Sequence, residues 1–293
     1  MVRFNYAETG TDPSFYVPLA RACEEAGYDG FVVPESIVYP AVSDTRYPFN
    51  PDGSREFIED KPFLDPFVLI GALGAVTTRL RFVTFVIKLP LRHPVLLAKQ
   101  AASVAVLTGG RLALGVGSSP WPEDYEAVGV PWQGRGRRMD ECIDVLRGLC
   151  AGGWFEYDGR VFRVPRAKMS PVPGQPIPIL IGGHGEPALR RAARTGDGWM
   201  HGGGDPEALP GLMRRLRELL EAEGRSDAPF EIHVISADAF GVDGIRRLED
   251  SGVTDVMVGF RWPYQVGPDT QPLAEKLDLL RRFADKVIAK VRS

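Results

Sequence analysis

Arg111-Leu-Ala-Leu-Gly-Val-Gly-Ser-Ser-Pro-Trp-Pro-Glu-Asp-Tyr125 begins as a short apolar strand, passes through a glycine-rich turn and continues as a loop with aromatic and acidic residues. Backbone N–H groups exposed in such a turn hold an anion or the polar edge of a cofactor. Pro178-Ile-Leu-Ile-Gly-Gly-His-Gly-Glu-Pro187 repeats the pattern, with the next helix starting at Pro187. Two strand-to-helix turns built for close backbone approach point to a cofactor enzyme rather than a packing scaffold.

The same rhythm extends outward in both directions. Candidate strands are Val2–Tyr6, Gly30–Val33, Leu80–Ile87, Leu112–Val116, Pro178–Ile181, Gly198–His201, Phe230–Ser236 and Asp255–Gly259. Several are apolar throughout, as in a parallel sheet covered on both faces. Helical stripes fall between them: Phe15, Leu19, Ala22 and Ala26, stopped by Gly27, then Met139, Cys142, Leu146 and Leu149. Leu273, Leu277, Leu280, Ala284, Val287 and Val291 predict a terminal helix docked on the body. Eight strands alternating with helices predict one α/β domain over residues 1–293, a single (β/α)8 TIM barrel, with a doubly wound open sheet as the alternative.

Two insertions interrupt the alternation. Ile37–Pro62, after strand 2, carries Tyr39, Tyr47, Phe49 and Phe57 and reads as a lid. Trp154–Val164, between helix 4 and strand 5, reads as a hairpin with Asp158-Gly159 as a two-residue turn.

Composition excludes other classes. Apolar residues make up 44% and charged residues 25%, the balance of a soluble globular protein. A formal charge of -3 gives no field that draws nucleic acid or acidic lipid, and Arg135, Arg137 and Arg138 read as a solvated helix start. Cys23, Cys142 and Cys150 lie apart in predicted helices without metal spacing, as in a reducing compartment. There is neither a membrane-length apolar run nor an N-terminal signal pattern, so a cytoplasmic protein that meets no membrane is expected.

In a barrel the reactive groups lie at the C-terminal ends of the strands. That rule selects Glu35 and Ser36, Thr84, Phe85 and Val86 on to Lys88, Gly117, Ser118 and Ser119, Gly182, Gly183, His184 and Gly185, His201, and Arg261 with Trp262. Few of these are acids or bases. No carboxylate pair, nucleophile elbow or metal-spaced cluster occurs, so no metal is expected, and an organic cofactor would explain the poverty. Gly182–Gly185 before Pro187 is the best phosphate candidate, provided Glu186 points outward. His184 either donates to that phosphate or is a solvated loop histidine. Glu35 is either a general base or the partner of an arginine across the core. Glu35, Ser36, Ser118 and His201 are the catalytic candidates. His93, before Pro94, reads as a helix cap, and His233 as structural.

Four segments in order resemble the luciferase-like monooxygenase superfamily, most closely its branch dependent on the deazaflavin coenzyme F420. They are Ala20-Arg-Ala-Cys-Glu-Glu-Ala-Gly-Tyr-Asp-Gly30 with Val33-Pro-Glu35, Leu89–Gln100, Gly109–Gly117, and Ile181–Arg194 followed by Gly196-Asp-Gly-Trp199. The resemblance implies a barrel binding a flavin or deazaflavin at its C-terminal mouth, with Thr84, Phe85, Val86, Gly117, Ser118, Ser119 and the Gly182–Gly185 turn around it. It implies a non-prolyl cis peptide within Thr84-Phe-Val86, although Phe85 stands where relatives often have glycine. Ser36 and Ser118 stand where some sugar-phosphate-oxidising relatives carry histidine and glutamate, so that activity is not carried over.

The resulting expectation is a coenzyme F420-dependent oxidoreductase exchanging a hydride with a small organic substrate. The alternatives are an FMN-dependent two-component monooxygenase supplied by a separate reductase, and a non-catalytic flavin-binding protein. A homodimer is expected.

Overall fold

A computed structural model describes all residues, Met1–Ser293. Its strands in chain order are β1 (Arg3–Ala7), β2 (Gly30–Pro34), β3 (Arg81–Phe85), β4 (Ile87–Lys88), β5 (Leu112–Gly117), β6 (Phe155–Asp158), β7 (Arg163–Ala167), β8 (Ile179–Gly182), β9 (Gly198–Met200), β10 (Glu231–Val234) and β11 (Asp255–Val258). The helices are α1 (Tyr16–Glu25), α2 (Pro66–Gly74), α3 (Pro94–Leu107), α4 (Pro122–Ala127), α5 (Arg135–Cys150), α6 (Glu186–Thr195), α7 (Leu209–Ala222), α8 (Val242–Asp250), α9 (Leu273–Phe283) and α10 (Ala289–Arg292).

Eight parallel strands run in the order β3-β2-β1-β11-β10-β9-β8-β5, and pairing of Phe82 with Leu112 and Val83 with Ala113 joins β5 back to β3. That closure selects the barrel over the open sheet. Alternate residues point inward and stack in layers. Val32, Val83, Ala113, Leu180, Met200 and Met257 form a separate apolar cluster inside the ring. The opposite strand faces join a larger core of 61 buried residues with the helices. Strands buried on both faces explain why the apolar runs do not alternate.

Below the apolar layer, at the N-terminal ends of the strands, the interior is charged. Arg81 makes two 2.9 Å bonds to Glu231, and Arg3 holds Asp255 at 2.9 and 2.6 Å. His233 lies 2.7 Å from Glu231. Glu231, His233 and Asp255 bring one ligand atom each within 4.8 Å, but Arg81 and Arg3 already neutralise the carboxylates, so this is a structural ion network. Burial raises the Glu231 carboxyl, yet bonds from His233 and Arg81 outweigh it and hold the group well below the usual carboxylate range.

Three local expectations are corrected. The hairpin of β6 and β7 pairs Asp158 with Arg163, and the Gly159 N–H donates to the Phe162 carbonyl at 2.9 Å, so the turn centres on Arg160-Val161 rather than on Asp158-Gly159. Gly159 lacks the positive φ of a two-residue turn and serves instead to admit Glu141, whose carboxylate would lie 2.3 Å from a Cβ there. Glu141 accepts the N–H groups of Arg160, Val161 and Phe162 at 2.9–3.0 Å. His93 occupies the N-cap of α3 without a side-chain cap bond, and packs edge-on against Phe162. The terminal helix docks as its stripe predicts, but a π-turn over Ala284–Ile288 separates α9 from α10. No helix is long and apolar enough to cross a membrane.

Candidate active site

At the C-terminal ends of the strands the apolar layer gives way to an irregular mouth. β3 ends at Phe85, the Phe85–Val86 peptide is cis, and the chain resumes as β4, paired with Val116 and Gly117 of β5. Val86 is seated between two glycines. A Cβ on Gly117 would come within 2.7 Å of its Cγ2, and one on Gly182 within 3.0 Å of its Cγ1. Side chains at either position would displace this ledge, which is why both strand ends are glycine.

Beside the ledge, β8 turns into α6 through Gly183, His184 and Gly185. Gly183 has φ +123°, a conformation L-residues rarely adopt, and its carbonyl accepts the Trp199 indole N–H at 2.8 Å. The main-chain N–H groups of Gly183, His184 and Gly185 find no acceptor in the protein. Glu186 points away from them: Arg215 and Arg190 hold its carboxylate at 2.8 and 2.7 Å, and the Arg215 bonds lower its pKa. What remains is a set of free N–H groups at a helix start, a suitable cradle for an anion.

His184 and His201 stack face to face, centroids 4.5 Å apart and planes 6° from parallel. Burial lowers both, and for His201, with His184 alongside, the pKa falls to about 4. The Ile37–Pro62 loop closes over them as its aromatic residues suggest. Phe49 meets His184 edge-on at 4.9 Å, Tyr47 stacks on Trp121 at 5.7 Å, and Phe57 packs on Tyr264 at 5.0 Å. Lys61 fixes the end of the loop by donating to the carbonyls of Pro263 and Gln265.

The mouth also holds a buried pair that sequence reading misses. Lys88 lies 2.6 Å from Asp124, whose carboxylate accepts the Ser119 hydroxyl at 2.6 Å. Ser119 is the one non-glycine residue with positive φ, 57°, and its hydroxyl also accepts the Trp121 N–H at 3.1 Å. Asp124 thus holds the strand-to-helix turn after Gly117 in a left-handed conformation that serine does not favour by itself.

The expected site residues fall into two groups. Val86, Gly117, Ser118, Ser119, Gly182, Gly183, His184, Gly185 and His201 come together around the mouth, with Phe85 packed on the interior layer beneath. Glu35 and Thr84 have their polar groups taken. Glu35 accepts the Lys88 N–H at 2.6 Å and pairs with the Arg92 guanidinium, the arginine-partner alternative. Thr84 is buried and donates to the Gly115 carbonyl at 2.8 Å. Ser36 is half-buried after β2, and the Ser118 carbonyl accepts the Tyr125 hydroxyl. Trp121, Trp199 and Tyr264 also line the mouth; for the two tryptophans, aromatic residues beside glycine-rich turns were the available signal, and Tyr264 carries none.

Residues 3–240 match the family model described as luciferase-like monooxygenase. An uncharacterized protein of Mycobacterium tuberculosis is 60% identical over 290 residues, covering 99% of this chain and all of that one. The F420-dependent glucose-6-phosphate dehydrogenase of Nakamurella multipartita is 28% identical over 85% of this chain and 71% of its own. Among solved structures, a monooxygenase from Streptomyces bottropensis superposes with a TM-score of 0.78 at 18% identity, covering 99% of both chains.

Proposed function

Because the chain belongs to the luciferase-like monooxygenase family, we propose that it is a coenzyme F420-dependent oxidoreductase acting on a small organic substrate beneath the Ile37–Pro62 loop. The observation that carries this reading is the row of unpartnered N–H groups at Gly183, His184 and Gly185, with Glu186 turned away. They would hold the phosphate of the cofactor, as N–H groups at a helix start do. Bound at the mouth, the deazaflavin supplies a ring carbon that accepts or gives a hydride. Val86, on its glycine seat, offers the apolar surface that would back the ring.

The remaining residues position and dry the site. Tyr47, Phe49, Phe57, Trp121 and Tyr264 form an aromatic cover that keeps water out. His201 is neutral near pH 7 and Glu35 is tied to Arg92, so neither is poised to move a proton there. Orientation is the protein's main contribution. Preference for F420 over FMN is supported by the Nakamurella relative, which matches along most of the chain.

Titration of the purified protein with F420 and with FMN, followed by cofactor absorbance, tests the reading. F420 is expected to bind the more tightly. Binding of FMN alone would reassign the chain as a two-component monooxygenase that needs a separate reductase. Binding of neither would remove the proposal.

A further inference from the structure

His201 is 2% exposed at the end of β9, and its Nδ1 lies 3.2 Å from the Ile235 carbonyl oxygen. A carbonyl only accepts, so Nδ1 carries the ring proton and Nε2 is a lone pair. That Nε2 is buried and has no hydrogen-bond partner in the protein. A buried acceptor left unmatched is destabilising, so a ligand donor that reaches it is favoured. The low basicity of this ring keeps Nε2 an acceptor at neutral pH.

His184 is fixed in the complementary form. Its Nε2 accepts the Gly202 N–H at 3.0 Å, which places its proton on Nδ1. What is left unmatched is the His201 lone pair, whose complement is a donor, and a hydroxyl supplies one. Phe49 closes over this pair, and its ring carbons lie 3.0 Å from where a Cβ on Gly202 would stand, so that glycine lets the loop shut. His233 also has an unmatched nitrogen, Nδ1, but lies in the charged network at the opposite end of the barrel.

We propose that His201 Nε2 is a receptor for a ligand hydroxyl held beneath Phe49, so that the mouth selects a polyol or an alcohol. Resting on the cofactor reading above, the hydroxyl has two possible sources. One is the polyol chain that joins the ring of a flavin-type cofactor to its phosphate, since the phosphate cradle is next to His184. The other is an alcohol substrate.

The test compares the full-length protein with His201→Phe, which keeps a stacking ring without nitrogen, and His201→Gln, which restores an acceptor. Affinities are measured for F420, FMN and lumiflavin, a ring without the polyol chain. The nitrogen NMR resonance of His201 Nε2 is followed in the wild type. A cofactor hydroxyl predicts that His201→Phe binds F420 or FMN about tenfold more weakly, equivalent to about 1.4 kcal/mol. Lumiflavin affinity stays unchanged, His201→Gln recovers most of the loss, and the Nε2 resonance moves on cofactor addition. An alcohol substrate predicts unchanged cofactor affinities and an Nε2 resonance that moves when isopropanol is added to the loaded protein. If none of F420, FMN and isopropanol moves the resonance, and His201→Phe binds every probe like the wild type, the proposal is overturned. A wild-type protein that binds neither cofactor sinks the functional reading instead, and isopropanol added to the cofactor-free protein then decides this one: an Nε2 resonance that moves supports it and one that stays overturns it.

Discussion

The two ends of the barrel are built from the same eight strands and treat their polar groups differently: the lower end pairs its charges internally, although His233 Nδ1 is unmatched there. At the lower end, Glu231 and Asp255 meet Arg81 and Arg3 inside the chain, and Asn5 adds a 3.1 Å bond to Asp255. At the upper end, the half-buried Gly183 and His184 and the exposed Gly185 leave their N–H groups without protein partners, and the buried Nε2 of His201 has none. Buried polar groups are otherwise almost always paired. The lower end therefore reads as a plug that holds the ring together, and the upper end as a surface completed by a ligand.

The largest effect expected from this contrast is on stability, at the lower end. Asp255 is fully buried, and Asp255→Ala strips partners from Arg3, Asn5 and Thr254. Urea unfolding should show a loss of about 3–5 kcal/mol, with cofactor affinity in the folded fraction unchanged. An equally stable variant, or one with impaired binding, would break the division of labour.

Acid should expose the upper end next. His201 has a folded pKa depressed to about 4, so the unfolded chain takes up its proton first as pH falls. Its neutral form contributes full stability above about pH 6.5, lost progressively toward pH 4. The stability of His201→Phe relative to the wild type should therefore rise by on the order of 2 kcal/mol over that window. A difference that stays flat with pH would show that His201 titrates normally.

Gly183→Val should act mainly on binding. The new side chain must adopt φ +123° and would meet Ala188 Cβ at 3.0 Å, displacing the turn and its N–H groups. Cofactor affinity measured by titration is expected to drop about tenfold or more, with about 1–3 kcal/mol lost from stability. Undiminished affinity in a folded variant would remove the turn from the site. The smallest change belongs to Phe49→Ala, which opens the cover over His184. Stopped-flow measurement should show faster cofactor release at nearly unchanged stability; an unaltered rate would mean the loop does not gate the mouth.

The strands, their order and the two insertions were legible because burial on both faces writes long apolar runs into a sequence. Gly183 was legible because its φ of +123° demands glycine, and Gly182 because a side chain there would meet Val86. Polar partnerships were not. Nothing local marks Glu35 as the partner of Arg92, or Asp124 as the partner of Lys88, because closure of the sheet brings together residues that sequence spacing keeps apart. Thr84 looked available at a strand end, yet its hydroxyl turns to a neighbouring strand. The Asp158-Gly159 signal gave the hairpin but the wrong turn, since Glu141 reaches in from α5 and reshapes it. The stacking of His184 on His201 joins two strand ends that each looked ambiguous alone.

Amide hydrogen exchange with and without saturating F420 probes the contrast between the two ends most directly. Exchange at Gly183, His184 and Gly185 should slow sharply on binding, while the charged strand starts of β1, β3, β10 and β11 keep their rates. Saturation with F420 that leaves those three amides exchanging as before would contradict the assignment of the upper mouth as the cofactor site.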